Sequence, residues 1–103
     1  MNKDYSGTIP ETWRNISAVF SALGDEHRQR ILLSFEPNER LNVGQIAGIS
    51  TLTRSTVSHH LKVLREADVL IAERKGKEIY FRVNKTFLQD AFGKVSTYLD
   101  RLL

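Results

Sequence analysis

The chain has 103 residues, of which 41% are hydrophobic and 26% are charged, and its formal net charge is +3. This length allows one domain with one modest core, and the composition is ordinary for a soluble globular protein. The apolar runs are too short to span a membrane and no signal-peptide apolar region follows Met1, so we expect a cytoplasmic protein without a membrane partner. Because the chain has no cysteine, disulfides, thiol redox sensing and thiolate metal sites are excluded.

The N-terminal part is predicted to be a short disordered segment followed by a helix. Residues 1–8 are polar and contain a glycine, and we assign a single domain to residues 9–103. Pro10 suits the first turn of a helix, and a heptad-like apolar stripe predicts a helix over about residues 10–23, which Gly24 ends. The stripe consists of Ile9, Trp13, Ile16, Phe20 and Leu23.

Three further helices are predicted from residues that favour the N-cap position. Asp25 begins a helix that runs to about Phe35. Asn42 caps a short helix over residues 43–49, and Thr53 caps a longer one. The sequence therefore predicts four helices before the first strand.

The helix that begins after Thr53 has one apolar side and one polar side. At 100° per residue, Val57, Leu61 and Leu64 lie together on the apolar side. The opposite side carries short hydrogen-bonding groups and a cation: Ser55, His59 and Lys62, flanked by Thr56 and Ser58. A helix with such a polar side suits the DNA major groove, where these groups can contact base edges and phosphates.

The segment after this helix predicts a β-hairpin with a basic tip. Residues 69–74 and 79–83 form its strands, and Gly76 can adopt a positive φ at the turn. The second strand alternates as half-buried strands do, with Ile79, Phe81 and Val83 on one side and Tyr80 and Arg82 on the other. A recognition helix followed by a basic hairpin is the arrangement of a winged helix-turn-helix.

The positive charge is concentrated in this helix and hairpin. Residues 54–85 contain eight Lys/Arg and four Asp/Glu, a balance of +4, whereas the rest of the chain contains seven and eight, a balance of −1. Charge alone fits a solvated basic face as well as it fits a DNA-binding one. Together with the helix pattern, it favours double-stranded DNA as the partner.

A last helix is predicted from about residue 86 to the C-terminus. Its apolar side chains form a second heptad-like stripe: Leu88, Phe92, Val95, Leu99 and Leu102. The two terminal stripes could pack on each other within one chain or form a dimer interface, and the residue pattern leaves both arrangements open.

Three segments resemble the ArsR/SmtB family of bacterial transcriptional repressors, in the family's order and over about residues 13–100. Residues 55–67 resemble its recognition helix, residues 22–32 are similar to its second helix, and residues 75–84 resemble its wing. The resemblance implies a mainly α winged helix-turn-helix of four helices, a β-hairpin and a fifth helix. It also implies a homodimer through the terminal helices, which presents two recognition helices to an imperfect palindromic operator with half-sites ~34 Å apart.

On this basis we predict the residues that contact DNA and those at the dimer interface. The DNA-binding set is Gln45, Arg54, Ser55, Thr56, Ser58, His59, Lys62, Arg74, Lys75 and Lys77. The interface set is Trp13, Ile16, Phe20, Phe92, Val95, Leu99 and Leu102. The polar positions could instead be exposed only for solubility, and Lys62 and Arg65 could pair with Glu66 and Asp68. His60 lies near the apolar stripe, so we assign it a semi-buried structural role.

The sequence lacks the sensor residues that the resembling family commonly uses. At the two positions of the family's metal-binding cysteines it has Asn42 and Gly44, and the last helix has no histidine, only Asp90 and Asp100. A metal site built on His27 is disfavoured, so neither a metal nor a cofactor is predicted, and any small-molecule effector is unknown. Four aromatic side chains could line an apolar ligand pocket, although ordinary core packing is the favoured use: Trp13, Phe20, Phe92 and Tyr98.

The leading hypothesis is a homodimeric, sequence-specific DNA-binding regulator, a repressor without a recognisable metal or thiol sensor site. The alternative is a non-specific architectural DNA-binding protein, which the modest net charge and the polar helix face disfavour. A winged helix that binds only proteins is disfavoured by the +4 of residues 54–85. An enzyme is disfavoured most, because the sequence contains no nucleophile–base pairing, phosphate loop or metal-ligand cluster.

Overall fold

The computed structural model describes residues 1, 3, 5 and 7–103, so the predicted disorder of residues 1–8 lies partly outside the described residues. The chain begins with a 3₁₀ turn and continues through five helices and three strands. These are the 3₁₀ turn Glu11–Trp13, α1 Ile16–Leu23, α2 Glu26–Leu33, β1 Leu41–Asn42, α3 Val43–Ile49, α4 Arg54–Glu66, β2 Leu70–Lys75, β3 Glu78–Val83 and α5 Lys85–Leu102. This is the predicted order with one short additional strand, β1.

The prediction of one continuous helix over residues 10–23 is wrong. A 3₁₀ turn follows Pro10, whose ψ of 140° is not helical, and α1 begins only at Ile16. The predicted stripe is therefore divided between the 3₁₀ turn and α1. Within α1, Ile16 is buried together with Val19 and Ala22, whereas Phe20, one turn further along the helix, is 48% exposed.

The three predicted N-caps are confirmed, and each satisfies a backbone N–H at a helix start. The carboxylate of Asp25 accepts from the Arg28 backbone N–H at 3.1 Å, and the Thr53 hydroxyl accepts from that of Thr56 at 3.2 Å. Asn42 forms a reciprocal capping box with Gln45, in which both side-chain-to-backbone bonds measure 2.9 Å.

The core is built around the apolar side of α4. Val57, Leu61 and Leu64 are almost completely buried, as the sequence predicts. They lie in one hydrophobic cluster with side chains from α1, α2, α3, α5, β2 and the residue before β2: Val19, Ala22, Ile31, Ile46, Val69, Leu70, Leu88 and Ala91. Burial of each large aliphatic side chain contributes about 1.5–3 kcal/mol, so the rotation of α4 about its own axis is strongly determined.

The hairpin is part of a three-stranded antiparallel sheet in the order β1–β3–β2. The strand β1 was missed because two residues show no periodicity; Leu41 pairs with Phe81 only once the chain is folded. The expected half-burial of β3 holds for Phe81 and Val83, which pack against the core. It fails for Ile79, which is exposed because it lies opposite Arg74, beyond the core.

The distal half of α5 extends away from this core. The principal-axis extents are 51 × 24 × 20 Å, and the radius of gyration of 16.1 Å exceeds the value of ~13 Å expected of a compact chain of this length. Leu99 and Leu102 are 56% and 71% exposed. Within the described residues, no helix is both long and apolar enough to cross a membrane.

Replacing Leu64 by Ala should lower the free energy of unfolding by about 3 kcal/mol, because it leaves a cavity beneath the recognition helix. Chemical denaturation at one fixed protein concentration measures the change. Leu33→Ala is the matched control, since Leu33 is 82% exposed on α2, and it should change stability by less than about 0.5 kcal/mol. Equal losses from the two substitutions would contradict the assigned core.

Candidate nucleic-acid interface

The side of α4 opposite its buried stripe forms a continuous polar surface. Ser55, Ser58, His59 and Lys62 are all exposed there, and we call these four residues the reading face. Lys62 also lies 3.9 Å from Glu66, a long and solvent-exposed pairing that leaves the ammonium group available to other anions. The reading face thus presents two hydroxyls, an imidazole and a cation, a set that can donate to and accept from base edges.

The N-terminus of α4 is organised by threonine hydroxyls. The Thr53 hydroxyl caps the helix and also pairs with the Thr56 hydroxyl at 2.9 Å. Thr56 is exposed, but its hydroxyl is already engaged, so its methyl group is the part most free to meet a DNA base.

Arg54 lies against the start of α3. A Cβ built at Gly44 would stand 3.3 Å from Arg54 Nη1 and 3.4 Å from Asn42 Oδ1, so the glycine leaves room for the guanidinium. Gln45 is exposed nearby, and its Oε1 accepts from the Asn42 N–H in the capping box. Its amide N–H groups are left as donors, which suits a phosphate oxygen.

Residues 70–83 form the wing, and its tip is basic. Arg74, Lys75 and Lys77 are exposed, and none of them forms an ion pair within the described part of the chain. Gly76 has a φ of 63° in the two-residue turn, which glycine adopts without strain.

An ion-pair network that sequence reasoning missed braces the base of the wing. Glu73 accepts from Arg82 Nε at 2.6 Å and from Arg40 Nε at 3.2 Å, which links β2, β3 and the segment before β1. Hydrogen bonds from Arg82 and then Arg40 lower the pKa of Glu73. The network therefore stabilises the fold at pH values above the ordinary pKa of a carboxyl group. This contribution is lost as the pH falls through the lowered pKa of Glu73.

His60, for which the sequence predicts a semi-buried position, is buried, with 8% of its surface exposed. Its ring centroid lies 6.0 Å from that of His27 and 5.9 Å from that of His59. Burial lowers the pKa of His60, while Asp25 opposes this shift. Among residues 1, 3, 5 and 7–103, no group of three or more His, Asp or Glu side chains is placed to hold a metal ion.

Comparison with known proteins identifies the family. The sequence profile described as "Bacterial regulatory protein, arsR family" matches residues 25–71, which include α2, α3 and α4. The transcriptional repressor SdpR of Bacillus subtilis (strain 168) is 32% identical over 83 residues, which cover 81% of this chain and 91% of SdpR.

The chain belongs to the bacterial arsR family. It is accordingly a DNA-binding transcriptional regulator, as the sequence predicted. Several other relatives are longer, and the chain spans only 30% to 56% of four of them.

Solved structures of arsR-family regulators share the fold. An ArsR-like regulator from Rhodococcus sp. RHA1 has a TM-score of 0.74 at 24% identity, with 87% of each chain covered. The homodimeric winged helix-turn-helix domain of a possible ArsR-family regulator from Mycobacterium bovis has a TM-score of 0.69 at 23% identity, and the match covers 94% of this chain and 92% of that domain. These likenesses confirm the predicted winged helix-turn-helix.

Asn42 and Gly44, the two positions that the resemblance matches to the family's metal-binding cysteines, have structural roles in this arsR-family chain. Asn42 is committed to the capping box of α3, and Gly44 provides the space beside the Arg54 guanidinium. An amide already engaged in capping and a residue without a side chain give a soft metal ion no ligand at either position.

The terminal segments of this arsR-family chain pack on each other and still leave apolar surface. Trp13 meets Tyr98 edge-to-face at 5.7 Å between ring centroids, and Phe20 lies 6.3 Å from Phe92. Packing within one chain therefore accounts for these aromatic pairs, yet Phe92 remains 43% exposed. Of the predicted interface residues, Ile16 is 6% exposed and has little surface left for a partner.

Replacing Gly76 by Ala should lower the free energy of unfolding by about 1 kcal/mol, because an L side chain is strained at this φ. Gly48→Ala is the matched control inside α3, where an added Cβ meets nothing within 4 Å, and it should raise stability by roughly 0.5–1 kcal/mol. Denaturant titration distinguishes the two signs. A neutral Gly76→Ala would show that the turn does not constrain the wing.

Proposed function

We propose that this regulator is a homodimeric, sequence-specific repressor that inserts α4 of each subunit into the major groove of an imperfect palindrome. The observation that carries the proposal is the reading face, which is held outward by the buried stripe of the same helix. The name of SdpR, a transcriptional repressor, supports repression. Binding that occludes a promoter would require no catalytic group and no metal.

The proposed contacts divide between base edges and phosphates. Ser55, Ser58 and His59 lie on the N-terminal part of α4, the part that reads base edges in helix-turn-helix proteins. Phosphate or sugar contacts, which position the protein without reading sequence, are assigned to the surrounding donors and to the wing tip along the neighbouring minor groove. These are Gln45, Arg54, Lys62, Arg74, Lys75 and Lys77, whereas Thr56 is assigned a contact between its methyl group and a base.

A dimer is proposed because one chain leaves too much apolar surface uncovered. We define the terminal face as the exposed or half-buried apolar residues of the two ends: Trp13, Phe20, Phe92, Val95, Leu99 and Leu102. In a two-fold dimer, the terminal face of each subunit would cover that of its partner, and both α4 helices would be directed to the same side of the dimer. The homodimeric state named for the Mycobacterium bovis domain supports this arrangement.

The architectural alternative is less well supported. Non-specific binders depend on dense positive charge or on apolar wedges that enter the minor groove. Here the net charge is only +3, and the exposed side of α4 is polar rather than apolar.

The combined substitutions Ser58→Ala and His59→Ala should lower affinity for the operator by roughly ten- to a hundredfold, because base contacts are lost. Affinity for a scrambled duplex should change little. Fluorescence anisotropy with duplexes from the region upstream of the gene measures both. The control Thr86→Ala with Gln89→Ala changes two exposed polar residues of α5 and should leave both affinities unaltered. Unchanged operator affinity in the α4 variant would refute the assigned reading face.

The combined substitutions Leu99→Asp and Leu102→Asp should produce monomers, because two carboxylates would be buried in an apolar interface. Light scattering measures the mass, and operator binding should fall strongly because one chain engages one half-site. Leu33→Asp is the control, as Leu33 is also exposed, at 82%, but lies on α2, away from the terminal face. A dimer that persists in the α5 variant would exclude the terminal face as the interface.

A further inference from the structure

The side chain of Arg28 joins three helices through directed hydrogen bonds. Its Nε donates to the Ala22 carbonyl at 2.7 Å, and its Nη2 donates to the Ser21 carbonyl at 3.4 Å. These carbonyls belong to the last turn of α1, where acceptors lack the partner four residues on that a continuing helix would supply. The Ser21 carbonyl also accepts from the Gly24 N–H at 3.3 Å. Its Nη1 lies 3.3 Å from Nδ1 of His60 on α4. One residue of α2 thus holds the end of α1 and the middle of the recognition helix.

This contact determines the protonation state in which His60 fits. A guanidinium group has only donors, so Nδ1 of His60 must be the acceptor and the ring proton must sit on Nε2. A protonated His60 would have no acceptor for Arg28 and would place two cations 3.3 Å apart at their nitrogens. The neutral form is also the one that burial favours, since the ring is almost completely enclosed.

Some of the groups facing His60 favour its protonation and others disfavour it. Arg28 and the neighbouring rings of His27 and His59 disfavour its protonation, and the Asp25 carboxylate favours it. Asp25 is itself engaged with the backbone N–H of Arg28, so its charge is partly satisfied at the start of α2. Arg28 is therefore the nearest charge to which His60 is hydrogen-bonded.

His60 lies at the point where the core and the reading face meet. It is adjacent to His59 of the reading face, and it is buried beside Leu61 of the core stripe. Displacement of its ring would rotate or tilt α4, and side chains that read bases tolerate only small errors of position.

We propose that Arg28 is a positioning residue for DNA recognition, whose bond to neutral His60 orients the reading face, so that protonation of His60 reduces sequence discrimination. The proposal rests on the assignment of the reading face made above. The relevant quantity is the ratio of operator affinity to scrambled-duplex affinity, since Arg28 and His60 themselves need not touch DNA.

The sign of the pH effect separates this role from simple charge effects. As the pH falls, the protein as a whole becomes more positively charged, and this strengthens binding to any duplex. Protonation of His60 breaks the Arg28 contact and should lower the operator-to-scrambled ratio. Because the pKa of His60 is lowered on folding, its stabilising contribution is complete above about pH 6.5 and is lost as the pH falls through the lowered value.

The test compares His60→Asn and His60→Leu with the wild-type protein. Asparagine places its Oδ1 near the position of Nδ1, where it can accept from Arg28 without titrating, whereas leucine fills the space without an acceptor. Anisotropy titrations on operator and scrambled duplexes would run from about pH 7.5 to about pH 4.5, a range that extends well below the ordinary pKa of histidine because the pKa of His60 is lowered. Far-UV circular dichroism at each pH would confirm that the helices are intact.

We expect the wild-type ratio to fall about tenfold over this range, as one hydrogen bond to a charged group is lost. His60→Asn should keep a high, pH-independent ratio, and His60→Leu should show a low ratio at every pH. The control His27→Asn removes a neighbouring ring that accepts nothing from Arg28. It should retain the fall in the ratio, with the midpoint moved to higher pH because His27 disfavours protonation of His60.

Two outcomes would overturn the proposal. One is a full operator-to-scrambled ratio in folded His60→Leu, and the other is the same decline with pH in His60→Asn as in wild type. A wild-type protein that shows no preference for the operator at any pH would instead refute the proposed sequence-specific function. The two failures are therefore distinguishable in the same experiment.

Discussion

The rest of the structure depends on the burial of one side of α4. Val57, Leu61 and Leu64 are enclosed by α1, α2, α3, α5 and β2, and this enclosure sets the rotation of the helix. Because successive residues of a helix point about 100° apart, a determined inner side also determines an outer side. The hydrophobic core thus determines that the polar groups of α4 face outward, and under the proposed function a defect in its packing would alter DNA recognition as well as stability.

Polar interactions connect elements that the core has brought together. Glu73 braces the base of the wing through Arg40 and Arg82, while the cations at the tip remain exposed. Arg28 performs a comparable role inside the molecule, where it connects the end of α1 with His60. Both arrangements hold elements that are distant in sequence, and both use arginine, whose planar group can donate in several directions at once.

The core around α4 and the terminal segments of this arsR-family chain differ in how completely their apolar side chains are buried. The helices around α4 form a closed core, whereas Phe20, Phe92 and the distal part of α5 retain exposed apolar surface even though aromatic pairs link the two ends. The capping box at Asn42 and the Arg54 guanidinium beside Gly44 give structural roles to the two positions that the resemblance matches to family cysteines.

The sequence by itself determined the family, the order of the helices, the three N-caps and the inner side of α4, because these follow from local patterns of cap residues and helical periodicity. Tertiary structure alone decided the break before Ile16, the pairing of β1 with β3, and the partners of Glu73 and Arg28. The reason is physical: a two-residue strand or a hydrogen bond between residues 32 positions apart has no periodic signature. Each forms only where the folded core brings the groups together, as it does for Arg28 and His60.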